Sequence, residues 1–298
     1  MSLQPLLRAE GLSRTFRQGG WLRQTSTLAV RDVSLHIMPG ETLALVGESG
    51  SGKSTLGRLL SGLDQADSGS VEFAGQRIDG LDAARLRAVR RDLQVIFQDP
   101  YSAIDPRMAV ADFVAEPLRV HKAFFDADDL QRQVAGLMRK VGLDPAMGNR
   151  RAREFSGGQR QRLCIARAIA LKPKLIVADE PITALDVSIQ AQIINLLMDL
   201  QQELGVTYLF ISHDLSMVRH VSQRVAVMRE GRIVELAPTA QLFSDPRHPY
   251  TQALLSAVPV PDPRIERARQ RLYFDPQQHP IGDDASLRLV GPDHYVLG

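Results

Sequence analysis

One stretch limits the possible folds more than any other: Leu43-Ala-Leu-Val-Gly-Glu-Ser-Gly-Ser-Gly-Lys-Ser-Thr55. Leu43 to Val46 is an apolar run that reads as a buried strand. A glycine-rich turn follows, Gly47 to Gly52, and a helical pattern runs from Leu56 to Leu60. Few architectures accept strand, G-x-x-x-x-G-K-[ST] and helix in that order. Gly47, Gly50 and Gly52 let the backbone curl until its N–H groups converge, where side chains would obstruct them. Glu48, Ser49 and Ser51 fill the positions between, and Thr55 follows the turn into the helix. A helix opening at Lys53 adds the positive end of its dipole to the same point. These residues predict a phosphate-binding turn, a P-loop.

In such a turn Lys53 supplies a mobile cation for the β- and γ-phosphates of a nucleotide, and the Ser54 hydroxyl is placed to ligate Mg²⁺. A second apolar run, Leu175-Ile-Val-Ala178, is closed by Asp179-Glu180-Pro181. Asp179, at a strand end, is a candidate Mg²⁺ ligand opposite Ser54. Glu180, one residue beyond, is placed to orient or deprotonate an attacking water. Val206 to Ile211 is a third buried run and ends at Ser212-His213-Asp214.

The 298 residues, 44% hydrophobic, suffice for one large α/β core and a small appended unit. A net charge of +2 argues against nucleic-acid binding by bulk electrostatics. The arginines of Asp82 to Asp92 read as a solvated helix face. With one cysteine, Cys164, the chain forms no internal disulfide, which fits a reducing compartment, and Cys164 itself reads as a small buried helix residue. The first ten residues lack a signal pattern and no long apolar run appears, so a soluble, cytoplasmic protein is expected. Leu6 to Phe16 and Leu28 to Ile37 read as strands, with an exposed loop from Arg17 to Ser26 between them. Tyr101 to about Arg153 turns helical, an inserted subdomain. Ile189, Ile193, Leu196, Leu197 and Leu200 mark an amphipathic helix. Strands alternating with helices predict a mostly parallel sheet covered on both faces, with its ligand at the carboxyl ends. From Pro259 to Gly298 the chain reads as a loosely ordered tail.

Phe155-Ser-Gly-Gly-Gln159, continued by Arg160-Gln-Arg162, resembles the signature motif of ATP-binding-cassette (ABC) ATPases, with Phe155 where leucine is commoner. The resemblance implies a P-loop ABC ATPase core with an N-terminal antiparallel β subdomain, a helical subdomain at about 101–165 and a short C-terminal extension. It implies a cassette over 1–244 and the extension over 245–298. It also implies Mg²⁺-dependent ATP hydrolysis. The signature (Ser156, Gly157, Gly158 and Gln159) of one subunit closes over ATP held by the P-loop of another. Phe16 is then the aromatic stacked on adenine. Gln98 is the Q-loop glutamine, near Mg²⁺ and the attacking water. Ala184-Leu185-Asp186 is the D-loop, with Thr183 where serine is common. His213 is the switch histidine at the γ-phosphate.

A narrower likeness covers roughly residues 5 to 258. Val95 to Arg107, Ala184 to Gln192 and His248-Pro-Tyr-Thr-Gln-Ala-Leu-Leu255 are similar to ATPases of oligopeptide, dipeptide and nickel importers, the Q-loop being closest to the second ATPase of the usual pair. The implied partners are a second ABC ATPase, homologous or identical, two transmembrane permease subunits and, through them, a substrate-binding protein. The implied location is peripheral, on the cytoplasmic face of the inner membrane, without nucleic acid. Arg151-Ala-Arg153 departs from the proline-histidine pair common in that subfamily. Many relatives carry a cysteine-rich tail with an iron–sulfur cluster; the tail here has no cysteine, so no cluster is expected. An accessory ATPase of a soluble complex such as carbon–phosphorus lyase is the alternative. DNA-repair and translation ATPases of this class usually show long coiled-coil insertions or paired cassettes, and neither is seen here.

Overall fold

The computed structural model describes residues 4–18, 25–183, 185–259, 264, 271–282 and 285–298. Strands β1 (Leu7–Gln18) and β2 (Thr25–Ile37) pair antiparallel along almost their whole length. The ladder continues to Gln18 opposite Thr25, so Arg17 and Ser26 are strand residues and not loop. β-Branched Thr15, Thr25 and Thr27 favour that extension. Gly19, Gly20 and Trp21 of the expected loop lie outside the described residues.

β3 (Thr42–Val46) is buried throughout and feeds the glycine turn and α1 (Lys53–Leu60). β4 (Ser68–Phe73) and β5 (Gln76–Arg77) complete a four-stranded antiparallel sheet in the order β2-β1-β4-β5. α2 (Ala83–Asp92) is capped by Asp82, whose carboxylate accepts from Arg85 N at 2.8 Å, and leads into β6 (Leu93–Ile96). The inserted helical region follows: α3 (Pro100–Ala103), α4 (Val110–Val120), α5 (Ala127–Lys140), two 3₁₀ turns and α6 (Gly157–Ile169). Val110, Phe113, Val114, Val134 and Met138 form its interior. Cys164 lies buried in α6, as its neighbours required, and burial pushes its thiol up to about 12.

The second half alternates as expected: β7 (Leu175–Asp179), α7 (Val187–Leu204), β8 (Thr207–Ser212), α8 (Leu215–Val221) and β9 (Arg224–Arg229). β10 (Arg232–Pro238), α9 (Thr239–Ser244) and α10 (Pro249–Ser256) follow. The main sheet runs parallel through β9-β3-β8-β7-β6. Alternate residues of each central strand enter different cores. Tyr208 and Phe210 of β8 face the helices, while Leu209 and Ile211 face α1 and the antiparallel sheet. Each fully buried side chain of this size contributes ~1.5–3 kcal/mol, so a one-residue slip would exchange both cores at once.

The tail departs from expectation. β11 (Leu287–Gly291) and β12 (His294–Leu297) form a hairpin, and β12 pairs antiparallel with β10, extending the sheet at that edge. His294 anchors it, wholly buried with its Nε2 2.7 Å from the Glu235 carboxylate.

Candidate functional site

The parallel order sets β3, β7 and β8 side by side, so the residues just beyond their carboxyl ends converge. Gly47 and Gly52 are both at positive φ, +150° and +103°. A Cβ on either would stand 2.1 Å from a backbone oxygen, Met228 O or Ala29 O respectively. The turn is therefore clamped by neighbouring backbone, and only glycine fits. Gly231 N donates to Ser51 O at 3.0 Å and closes the clamp.

Lys53, 4% exposed, donates from Nζ to Gly47 O and Glu48 O, both at 2.8 Å. Burial lowers its pKa, while Glu180, Asp179 and Glu48 pull the other way. Ser54 Oγ donates to Asp179 Oδ1 at 3.0 Å. Burial raises the Asp179 pKa, the Ser54 bond opposes that shift and the adjacent Glu180 adds to it. A half-buried carboxylate beside a hydroxyl is a hard-oxygen pair, which fits Mg²⁺. That ion needs one or two protein ligands and takes the rest from phosphate and water. Among the described residues no cluster of three or more His, Cys, Asp or Glu side chains could hold a metal ion, so a larger protein cage is not available there.

Glu180 Oε2 is the hub of the site. Gln98 Nε2 donates to it at 2.9 Å, Thr183 Oγ1 at 3.1 Å, and His213 Nδ1 lies 3.5 Å away. The Glu180 backbone sits at φ +46°, unusual for a residue with a Cβ, and its N–H is pinned to Ile211 O at 3.0 Å. Such a conformation costs on the order of 1 kcal/mol and persists only where the surroundings impose it.

An open cleft of about 1270 Å³ joins these groups. Ser49, Gly50, Gly52, Lys53, Ser54, Thr55, Gln98, Glu180 and His213 line it, with Phe16 toward one end. The Phe16 ring is half-exposed and the Arg14 guanidinium lies 5.2 Å from its centroid. Gly47, Glu48 and Ser51 shape the turn without lining the cleft, and Asp179 is reached through Ser54. Thr27, Ala29, Arg31 and Gly231 also line it, though no motif marks them.

The signature residues do not join this cleft. Ser156 caps α6 and exchanges hydrogen bonds with Gln159, Oγ accepting at 3.3 Å and Oε1 accepting at 3.0 Å. Gly158 is packed so closely that a Cβ would stand 2.6 Å from Ile189 Cγ2 of α7. Asp186 occupies the N-cap position of α7, exposed and without a side-chain cap bond. The signature and Asp186 thus mark the starts of two neighbouring helices, apart from the P-loop of their own chain. Ala184 lies outside the described residues.

The geometry defines a class: a P-loop ABC-type fold with a glycine turn, a lysine and two carboxylates brought together, and a second glycine-led helix start apart from them. Residues 30–183 match the family described as ABC transporter, and residues 234–282 match the oligopeptide/dipeptide transporter C-terminal region. The chain belongs to the ABC transporter family. It is 52% identical over 302 aligned positions to the "Glutathione import ATP-binding protein GsiA" of Salmonella paratyphi A and to that of Escherichia coli K12. Those alignments cover 98% of this chain and 48% of each relative, so the chain spans about half the length of the curated relatives it matches. Among solved structures it is similar to a dimeric post-hydrolysis state of the ATP-binding cassette MJ0796 bound to ADP and Pi. The TM-score is 0.71 at 28% identity, covering 78% of this chain and 98% of that one.

Proposed function

We propose that this chain is the ATP-hydrolysing subunit of a membrane importer for peptides or related small solutes, acting as one half of a face-to-face ATPase pair. The observation that carries the reading is the division just described. One cleft gathers a lysine, a hydroxyl–carboxylate pair and a three-partner glutamate, while a second glycine-led helix start, that of α6, does not line it. Two copies, or this chain and a homologous ATPase, complete each other's sites.

In this reading ATP lies along the cleft with adenine toward Phe16 and its phosphates in the turn. When bound, Mg²⁺ supplies charge neutralisation at the phosphate oxygens, held by Ser54 and Asp179 with Gln98 beside them. Lys53 keeps the Gly47 carbonyl and gives up its other loop contacts for β- and γ-oxygens. Glu180 orients the attacking water and takes its proton. In the resting arrangement Gln98, Thr183 and His213 all bear on the one oxygen Oε2. The base is thus restrained until a γ-phosphate competes for Gln98 and His213. Ser156, Gly157, Gly158, Gln159 and Asp186 serve the partner's nucleotide. ATP favours the closed pair and hydrolysis releases it, a switch driven by differential affinity.

No helix among the described residues is long and apolar enough to cross a membrane. We place the chain peripherally on the cytoplasmic face of the inner membrane, bound to two permease subunits that receive cargo from a binding protein. We read 1–244 as the cassette and 245–298 as the subfamily extension. The glutathione named in its relatives belongs to the cargo class proposed. Glu180→Gln should slow turnover by ~10²–10⁴-fold, the usual worth of a general base, and accumulate an ATP-bound pair on size exclusion. Hydrolysis at full rate would remove Glu180 from this role. Capture of permeases from detergent-solubilised membranes supports the importer; capture of soluble enzymes alone supports the accessory ATPase.

A further inference from the structure

The P-loop is also held from behind. Tyr250 of α10 is 2% exposed, and its hydroxyl accepts a hydrogen bond from Glu48 N at 3.1 Å. The peptide group that donates this N–H carries the Gly47 carbonyl on its opposite edge, and that carbonyl accepts from Lys53 Nζ at 2.8 Å. A trans peptide is a rigid plane whose C=O and N–H point in opposite directions. Fixing the N–H toward Tyr250 therefore fixes the C=O toward Lys53. Gly47 has no side chain to bias that plane, so the two hydrogen bonds set its orientation between them.

Tyr250 is itself held firmly. His248 caps α10, its Nδ1 accepting from Tyr250 N at 3.1 Å. The backbone N–H groups of Arg247 and His248 donate to the Glu235 carboxylate at 2.8 and 2.9 Å, the same buried group that meets His294. The Phe274 ring meets the Tyr250 ring edge-on with centroids 5.5 Å apart, and the Arg229 guanidinium lies 5.5 Å from the Tyr250 centroid. A hydroxyl on so fixed a ring is a stationary acceptor.

We propose that Tyr250 is a positioning residue of the ATP site: its hydroxyl orients the Gly47–Glu48 peptide and, through it, the Lys53 ammonium. The C-terminal extension is then a working part of the nucleotide cradle. This inference rests on the nucleotide reading of the cleft.

The test is calorimetric titration of MgATP into the full chain, with ATPase kinetics and a melting curve in parallel. Tyr250→Phe keeps the ring and deletes only the acceptor. One hydrogen bond's worth of cradle geometry predicts that Kd and KM rise about 3–10-fold while kcat at saturating ATP stays within about twofold. Phe274→Leu loosens the same ring packing without touching the hydroxyl. It should lower the melting temperature and leave Kd within about twofold. An unchanged Kd in Tyr250→Phe overturns the proposal. So does an equal rise in Phe274→Leu, because helix position and not the hydroxyl would then be responsible. Absence of MgATP binding by the unaltered chain would bring down the nucleotide reading as well, a result distinct from either.

Discussion

Two helices of this chain begin with a glycine-rich turn, and they differ in everything around that turn. The start of α1 is enclosed: neighbouring backbone clamps Gly47 and Gly52, Lys53 is buried at the first helical position, and Asp179 and Glu180 stand opposite. The start of α6 is open: Ser156 is exposed, its capping bonds are satisfied within the turn, and Gly158 packs against Ile189 of α7. Both offer backbone N–H groups to an anion. At the first, a lysine ammonium and two carboxylates line the turn; at the second, Arg160 is turned back onto the Ala152 and Arg153 carbonyls and Glu154 onto Arg151 N. In the proposed reading the enclosed turn binds nucleotide alone, whereas the open one completes a site whose main charge comes from the partner. Substitutions at the two should therefore give separable defects.

The largest effect is expected at the open turn. Ser156→Arg fills the surface that, in the proposed pair, meets the partner's phosphates, and turnover should fall by ~10²-fold or more, as when a transition-state anion loses a donor. MgATP binding to the isolated chain should stay within about twofold, because the cleft does not include Ser156. Next comes Lys53→Ala, which removes a charge-assisted contact and should weaken single-chain MgATP binding by ~10–100-fold. Calorimetry on both variants, beside turnover, decides the matter. Equal loss of single-chain affinity in the two would erase the distinction between the turns.

The enclosed half was legible in the sequence because each of its groups stands at the end of an apolar run. Lys53 and Ser54 follow Leu43 to Val46, Asp179 and Glu180 follow Leu175 to Ala178, and His213 follows Val206 to Ile211. Burial demands such runs, and a parallel sheet brings their ends together whatever lies between. The edge hairpin was not legible. Leu289 and Val290 are exposed, and what anchors the hairpin is a histidine–carboxylate pair between residues 59 positions apart. The Tyr250–Glu48 contact spans 202 positions and involves a backbone N–H, which no side-chain pattern reveals. Pairwise polar burial leaves little periodic trace, whereas hydrophobic burial leaves a strong one.

The smallest expected effect separates the cassette from its extension by pH. Burial pushes the His248 imidazole down to about 4 from its ordinary 6.5, with Glu235 opposing the shift and Arg229 and His279 adding to it. Its Nδ1 accepts the Tyr250 N–H, a role open only to the neutral ring. An unfolded chain takes up this proton as pH falls through about 6.5, whereas the folded chain resists until about 4. The stability contributed by neutral His248 is thus complete above 6.5 and is lost progressively as the pH falls toward 4. Asparagine also caps helices and does not titrate, so His248→Asn should cost less than about 1 kcal/mol at neutral pH and flatten this part of the acid loss. Urea midpoints at about pH 7.5, 6.5 and 5.5 test it, and parallel slopes for the two proteins would exclude His248. The difference between the two proteins should lie in their urea midpoints and not in MgATP binding, because the folded chain keeps His248 neutral down to about 4. The open turn at α6, with no titrating group in its cap, should contribute nothing to that difference.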